Sequence, residues 1–492
     1  MKSLIRSIYF STLVVVLVAS CRTAKEYKRP DVVLQSSFSE GTGSDRAAST
    51  SLANASPATD SIVTADTASI AELPWQAFFA DPSLNDLISK GIQYNHDLLI
   101  AMKRIDIAGR QLKQAKLLNL PSVNLQVSGQ INRPSDNSLN GLSTQTFLQK
   151  SHVENYSALA GISWEADIWG KLRARKEVAL LSYLQTTEAA KAIQTELVAQ
   201  IAQGFYNLLM LDQQLLIANR TLALNDSFLT ATRLLKDAGN VTLLAVQQAE
   251  SQRQTTALLI PSLQQDIILQ ENALQLLTGH VPDAVERKVT LTQLTVPSDL
   301  STGLPIAMVS RRPDVRADEL ALKIANQRVG IAQASMYPSF NITAAAGLET
   351  FKASNWFNIP GSLFGLATGS LLQPVFQKRE LRTQYEVSKL EREQAVIRFR
   401  QSVLVAGTEV ANALTQAEKL KEQQELAVLQ TGTLGQAVFN SQQLFKSDMA
   451  TYLEVITAQS NALQAELNLA QVQRSRLGAM VELYRALGGG WK

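Results

Sequence analysis

Two stretches of this chain, residues 135–260 and 375–492, contain no proline. Proline is the strongest helix breaker, because it lacks the amide donor and its ring clashes with the preceding turn. Helices far longer than those of a globular core are therefore open to the sequence. In the second stretch apolar or small residues recur with a three–four alternation at Leu381, Tyr385, Ser388, Ala395, Phe399, Val403, Ala406, Val410, Ala413, Ala417 and Leu420, interrupted only by Arg392. Leu208, Leu211, Leu215, Ala218, Leu222, Leu229 and Thr232 repeat the pattern in the first. A seam this long packs as a coiled coil. A helix of about 65 residues is on the order of 100 Å long, so its seam needs other long helices to cover it.

Between the helical parts the period changes to two. After Pro121 come Val123, Leu125, Val127 and Ile131; later Ala158, Ala160, Ile162, Trp164, Ala166 and Ile168 alternate with Gly161, Ser163, Glu165 and Asp167. A second pair follows, with Phe340, Ile342, Ala344, Ala346 and Leu348 in one segment and a weaker alternation over 364–372. These are strands with one apolar face, and each pair brackets a polar loop, 132–154 and 351–361. Lengths of about ten residues suit tilted strands that cross a bilayer. Four strands cannot close a barrel, since about eight is the smallest number known, and lipid does not tolerate an open edge. Several copies of the chain must pool their strands.

The chain also reads as a duplication. The segment from Gln114 through Pro121 to Asn124 parallels that from Ala334 through Pro338 to Asn341, and Leu244 to Glu250 parallels Leu453 to Gln459, at offsets of 217 and 209 residues. Each copy reads helix, strand pair, long helix, turn, helix.

Lys2 and Arg6 precede an apolar run over 8–19, a secretory signal too short to span a membrane. The sole cysteine follows in Leu17-Val18-Ala19-Ser20-Cys21, which resembles a bacterial lipobox and marks Cys21 for lipidation. Two or three acyl chains, at about 0.8 kcal/mol per buried methylene, tether a protein firmly. Residues 23–71, rich in Ser, Thr, Ala and Asp, bury too little surface to fold and read as a tether. The expected organisation is a signal peptide over 1–20, a lipid-anchored tether over 21–72, a first repeat over 73–280, a linker over 281–305 and a second repeat over 306–492. A helix capped by Asp81 or Ser83 should run to about Leu118.

The 46 basic and 43 acidic residues are scattered, so no block marks a nucleic-acid surface. His96, His152 and His280 lie more than fifty residues apart without metal-ligand spacing, and no nucleophile elbow or phosphate loop is present. Catalysis, a cofactor and a metal are not expected. Gly488-Gly489-Gly490 lacks the lysine and the preceding strand of a phosphate loop, and Arg311-Arg312-Pro313-Asp314 reads as a helix start.

Taken in order, Tyr27-Lys28-Arg29-Pro30, the run Trp164-Glu165-Ala166-Asp167-Ile168-Trp169-Gly170-Lys171, Arg311-Arg312-Pro313-Asp314-Val315-Arg316, Tyr337-Pro338-Ser339-Phe340 and the ending Leu483-Tyr484-Arg485-Ala486-Leu487-Gly488-Gly489-Gly490-Trp491 resemble the TolC-like outer-membrane efflux channels. The resemblance is specifically to their lipoprotein branch, the OprM/NodT type, over about residues 27–492. It implies a mainly α protein with membrane β: a homotrimer whose β-barrel, four strands per protomer, is continuous with a long periplasmic α-helical barrel. It also implies outer-membrane lipid around the barrel, and a periplasmic adaptor (membrane fusion protein) and an inner-membrane pump as partners. The expected function is a passive exit duct for drugs, metal ions or other small molecules. Type I protein secretion through the same channel and a non-conducting structural envelope lipoprotein are the alternatives. The long helices should turn back at Gly239 and Asn240 and at Asp448 and Met449, which in the resembled family dock the adaptor. Its constriction carboxylates match Glu454 and Thr457, of which only Glu454 is acidic. Ala450 and Ala245 stand at its latch positions, so the inter-protomer salt bridge has lost its partners here.

Overall fold

The computed structural model describes Tyr27, Arg29, Pro30 and residues 33–35, 49–51, 73–294 and 311–492. Within the segment read as a tether, β1 (Val33–Gln35) and β2 (Ser49–Ser51) pair antiparallel. Helices α1 (Trp75–Phe78), α2 (Pro82–Tyr94) and α3 (His96–Lys116) lead to β3 (Ser122–Asn132), and a loop containing α4 (Leu139–Leu148) connects it to β4 (Val153–Ala166). Then come α5 (Lys171–Asp237) and α6 (Leu243–Leu277). The second copy comprises α7 (Pro313–Ala334), β5 (Ser339–Thr350), β6 (Leu363–Leu372), α8 (Glu380–Lys446) and α9 (Tyr452–Ala486).

The duplication is visible in the element lengths. Both long helices, α5 and α8, have 67 residues, about 100 Å at 1.5 Å per residue, and the returning helices α6 and α9 have 35 each. The change of offset from 217 to 209 falls between the strands of each pair, where the first connecting loop is eight residues longer than the second.

Among the described residues the chain forms two compact units. One gathers Ile107–Leu184 and Leu320–Ile397, and holds the antiparallel sheet in the order β3-β4-β5-β6. The other gathers those within Arg29–Asp106, Gln185–Glu319 and Arg398–Lys492. Its core packs Trp75, Phe79, Leu84 and Ile88 against Ile201, Phe205 and Leu208 of α5, Leu274 of α6 and Val481 and Tyr484 of α9. Tyr484 stacks on Phe78 at 4.1 Å between ring centroids, and its hydroxyl donates to the Leu73 carbonyl at 2.7 Å. The expected seam is buried where it enters this unit: Phe399, Val403, Ala406, Val410, Ala413 and Ala417 are all inside.

Three expectations need correction. The helix from residue 83 to 118 is broken at Asn95, whose backbone is extended (φ −60, ψ 125). The Asn95 side chain accepts from the Leu98 amide at 3.0 Å and donates to the Leu277 carbonyl at 2.9 Å, so it caps the second helix and ties the break to α6. The loop read as polar carries α4, capped by Ser138, with Leu139 and Phe147 more than 80% exposed. Strand β4 starts five residues before the first alternating residue, because Val153 to Ser157 complete the ladder opposite Ser128 to Asn132. Asp81 caps α2 as expected, its Oδ1 accepting from the Leu84 amide at 2.8 Å.

Candidate functional site: strand edges and hairpin tips

The register sorts the sheet into two faces. Val123, Leu125 and Val127 stand opposite Ile162, Ala160 and Ala158; these stand opposite Ala344, Ala346 and Leu348, and the row ends on Ala367, Gly365 and Leu363. The reverse face carries Asn124, Gln126, Ser128 and Gln130 of β3, then Ser163, Asn155 and Ser157 of β4, Asn341 and Thr343 of β5, and Thr368 and Ser370 of β6, interrupted near the middle of the sheet by Leu159, Ala345, Phe364 and Leu366. Across this polar face the Ser128 and Ser157 hydroxyls lie 2.8 Å apart. Val123, Leu125 and Val127 are 63–79% exposed. A sheet that shows water-averse side chains on one face and most of its amides and hydroxyls on the other separates two media. Among the described residues, strands β3 and β6 have no partner on their outer sides. Such edges need a further strand each, as the sequence required.

Aromatic residues mark the helix-side ends of the strands. Trp164 donates its indole N–H to the Asn119 carbonyl at 2.9 Å, and Trp169 donates to the Pro338 carbonyl at 2.7 Å while its ring lies 4.9 Å from that of Tyr337. Amphipathic rings in this position suit a membrane–water interface.

The two turns between long helices are built alike. At the first, Gly239 is left-handed (φ 82), its amide donates to the Lys236 carbonyl, and the Asn240 amide donates to the Leu235 carbonyl. At the second, Asp448 is left-handed (φ 57), with Asp448 to Phe445 and Met449 to Leu444 as the equivalent bonds. Both are Schellman motifs, and Asp fills the position that Gly fills in the first copy because a short polar side chain tolerates that backbone. Threonines 209 residues apart start the returning helices: Thr242 accepts from the Ala245 amide, and Thr451 forms a capping box with Glu454. The Glu454 carboxylate accepts from the Thr451 amide at 2.7 Å. Glu454 thus has a local structural task, yet it and Thr457 remain exposed, whereas Ala245 is fully buried. Apolar side chains crowd both turns, with Leu234, Leu243, Leu244, Met449 and Leu453 each more than half exposed.

Residues 87–280 and 304–489 each match the outer membrane efflux protein family, so the two matches cover more than half of the chain and fall one on each copy of the repeat. The chain belongs to the outer membrane efflux protein family. This efflux protein is 28% identical over 490 residues to the probable efflux pump outer membrane protein SepC of Pseudomonas putida, covering 98% of this chain and 97% of that one. It is 27% identical over 420 residues to the cation efflux system protein CusC of Escherichia coli, covering 85% and 88%. Its fold is similar to that of the open-state MtrE outer membrane channel of Neisseria gonorrhoeae, with a TM-score of 0.81 at 24% identity, covering 96% of this chain and 99% of that one.

The structure adds to this efflux protein a charged cluster that the sequence read only as a helix start. Arg312 is 4% exposed; its Nη1 donates to the Ala486 carbonyl at the end of α9 at 3.1 Å, and its guanidinium pairs with Asp314 at 2.7 Å and Glu409 at 2.8 Å. Burial alone would lower the Arg312 pKa, but the hydrogen bonds that the guanidinium donates to Asp314 and the charges of Asp314 and Glu409 outweigh it and raise it. Arg485 extends the cluster to Glu482, Glu409 and Glu196. Beyond α9 the backbone at Gly488 (φ 88) passes against Arg312, and at Gly490 (φ 99) against Thr195. Arg312 sits 174 residues from Ala486, a separation at which no sequence periodicity could pair them. Cys21 lies outside the described residues.

Proposed function

We propose that this protein is the passive outer-membrane exit duct of a tripartite efflux system, a homotrimer in which each copy contributes four strands to one barrel. The amphipathic sheet with two open edges carries this reading: β3 of one copy pairs with β6 of the next, which satisfies both edges and turns the apolar face to lipid and the polar face to a water-filled lumen. The exposed apolar turns at Gly239 and Asn240 and at Asp448 and Met449 dock a periplasmic adaptor, which an inner-membrane pump loads. Small molecules are the cargo, in keeping with the efflux systems named for the relatives. The chain performs no catalysis and needs no cofactor; the partners supply the energy.

Glu454 and Thr457 line the constriction, and three copies of Glu454 favour cations in its mouth. The experiment is a planar-bilayer recording of purified protein. Wild type is expected to run as a detergent-stable trimer, to conduct, and to show a cation-shifted reversal potential in a salt gradient. Glu454→Gln keeps a capping-box side chain at the third helical position, so the trimer should persist while the cation preference falls. A non-conducting monomer would sink the duct; equal reversal potentials in both proteins would leave Glu454 with its capping role alone.

Cys21 carries the lipid anchor in this reading, followed by the tether over residues 21–72. Cys21→Ser is expected to abolish incorporation of labelled palmitate and to lower the amount of protein in the outer-membrane fraction, with the barrel still able to insert. Unchanged labelling would rule the anchor out.

A further inference from the structure

We propose that the helix-side end of the sheet is a binding surface for anionic phospholipid headgroups, centred on Lys378 and Arg379. The proposal rests on the reading that the sheet lies in the membrane. All four strand ends joined to helices, at Ser122, Ala166, Ser339 and Leu372, lie at one end of the sheet, because Ser122 pairs with Ser163, Ala166 with Phe340 and Ser339 with Leu372. Within ten residues of those ends, over 112–121, 167–176, 329–338 and 373–382, stand nine basic and two acidic residues. The loops at the other end, 133–152 and 351–362, hold three basic residues and one acidic, with Glu154 and Glu349 in the flanking strands. The charge is therefore concentrated on one rim.

Part of this charge is already satisfied. Lys171 pairs with Glu165, Arg173 with Asp167, and Arg379 and Arg382 share Glu386. Lys113, Lys116, Arg175, Lys176 and Lys378 are outside every ion pair formed among the described residues, and each of the five is exposed. Two and three residues before Lys378 the chain bears Phe376 and Val375, 84% and 91% exposed. Apolar side chains beside unpaired cations on a membrane protein match one partner chemistry, acyl chains beneath an anionic phosphate.

The backbone supplies a second, independent observation. Lys378 and Arg379 are consecutive left-handed residues (φ 49 and 67) where the first copy's strand-to-helix junction uses a single glycine, Gly170 (φ 76). Side chains with a Cβ rarely adopt that conformation, and such outliers collect where function holds them. Glycine would fit both positions without strain. The chain places two long cations there instead, at the rim next to exposed apolar residues.

The test uses the full-length protein in dodecyl maltoside, incubated with equimolar phosphatidylglycerol and phosphatidylcholine, separated from free lipid and assayed for retained lipid. Wild type should retain phosphatidylglycerol in preference. Because a basic residue near an anionic headgroup layer contributes about fivefold in binding, the preference should fall by about fivefold or more in Lys378→Gly/Arg379→Gly, with the melting temperature unchanged or raised. Lys113→Gln/Lys116→Gln, confined to exposed side chains, should lower the preference without touching the strained turn. Equal retention of the two lipids by wild type, or an unchanged preference in both variants, overturns the proposal. Wild-type conductance in a pure phosphatidylcholine bilayer separates the two readings: conductance with equal retention removes only the lipid surface, whereas absence of conductance removes the membrane-embedded sheet on which it rests.

Discussion

Val127→Arg is expected to deplete the protein from the outer membrane, while Gln126→Arg, one residue earlier, leaves it there. Val127 is the middle residue of the eleven in β3, 63% exposed, and stands opposite Ala158 on the apolar face. An arginine at the midplane of a membrane strand costs about 2–4 kcal/mol, and every copy in the assembly carries it. Gln126 stands on the face of Asn124 and Ser128, where a guanidinium stays hydrated. The measurement is the amount of each full-length variant in the outer-membrane fraction at matched expression, with the heat-labile oligomer scored on gels. Depletion of Val127→Arg alone assigns the apolar face to lipid. Depletion of Gln126→Arg alone would reverse the faces, and equal recovery of both would remove this strand from the bilayer.

The features of this fold that were legible in the sequence are those written as repetition. The seam from Phe399 to Ala417 returns every three or four residues because a helix does, and its residues are buried. The alternation Val123, Leu125, Val127 survives as one face of β3 because a strand turns over at each residue. What escaped is carried by single residues whose letters have two meanings. Asn95 reads as one more polar residue on an exposed helix, yet it ends α2 because its amide reaches both the Leu98 amide and the Leu277 carbonyl. Glu454 reads as a lumen charge, and its carboxylate is also the partner of the Thr451 amide. The helix α4 escaped because its cap, Ser138, lies in a run of Ser, Asn and Asp that suits a loop equally well.

The duplication explains why the strand count is four. One copy of the unit supplies two strands, and two copies align their strand pairs through β4 and β5, which pair over eleven residues from Tyr156 to Ala166. The outer edges are then β3 and β6, the first strand of the first copy and the last of the second. Fusion of two units in one chain settles the central pairing within that chain and leaves the β3 and β6 edges, which the proposed duct pairs between copies.

Arg312→Ala is expected to destabilise the unit that holds the C-terminal helix by about 3–5 kcal/mol, the usual consequence of removing one partner from a buried ion pair. The guanidinium is 5% exposed and serves three acceptors, Asp314, Glu409 and the Ala486 carbonyl. Alanine leaves the carbonyl at the end of α9 without its donor and Glu409 with only the longer contact to Arg485, at 3.5 Å. Arg312→Lys should fall between the two, because one ammonium cannot match the bidentate grip on Asp314 and reach α9 as well. The loss should shrink in acid. Burial pushes the half-exposed Asp314 up, but its hydrogen bond to Arg312 wins and holds it below the ordinary value of 3.8. A carboxylate with a depressed folded pKa contributes stability that is complete above that ordinary value and is lost as pH falls through the lower folded one. Denaturant unfolding of wild type and Arg312→Ala at pH 7 and near pH 3 measures both effects. A difference that is large at pH 7 and smaller near pH 3 assigns the cluster its clamp role; equal stability at pH 7 would show that Arg312 is dispensable to the end of α9.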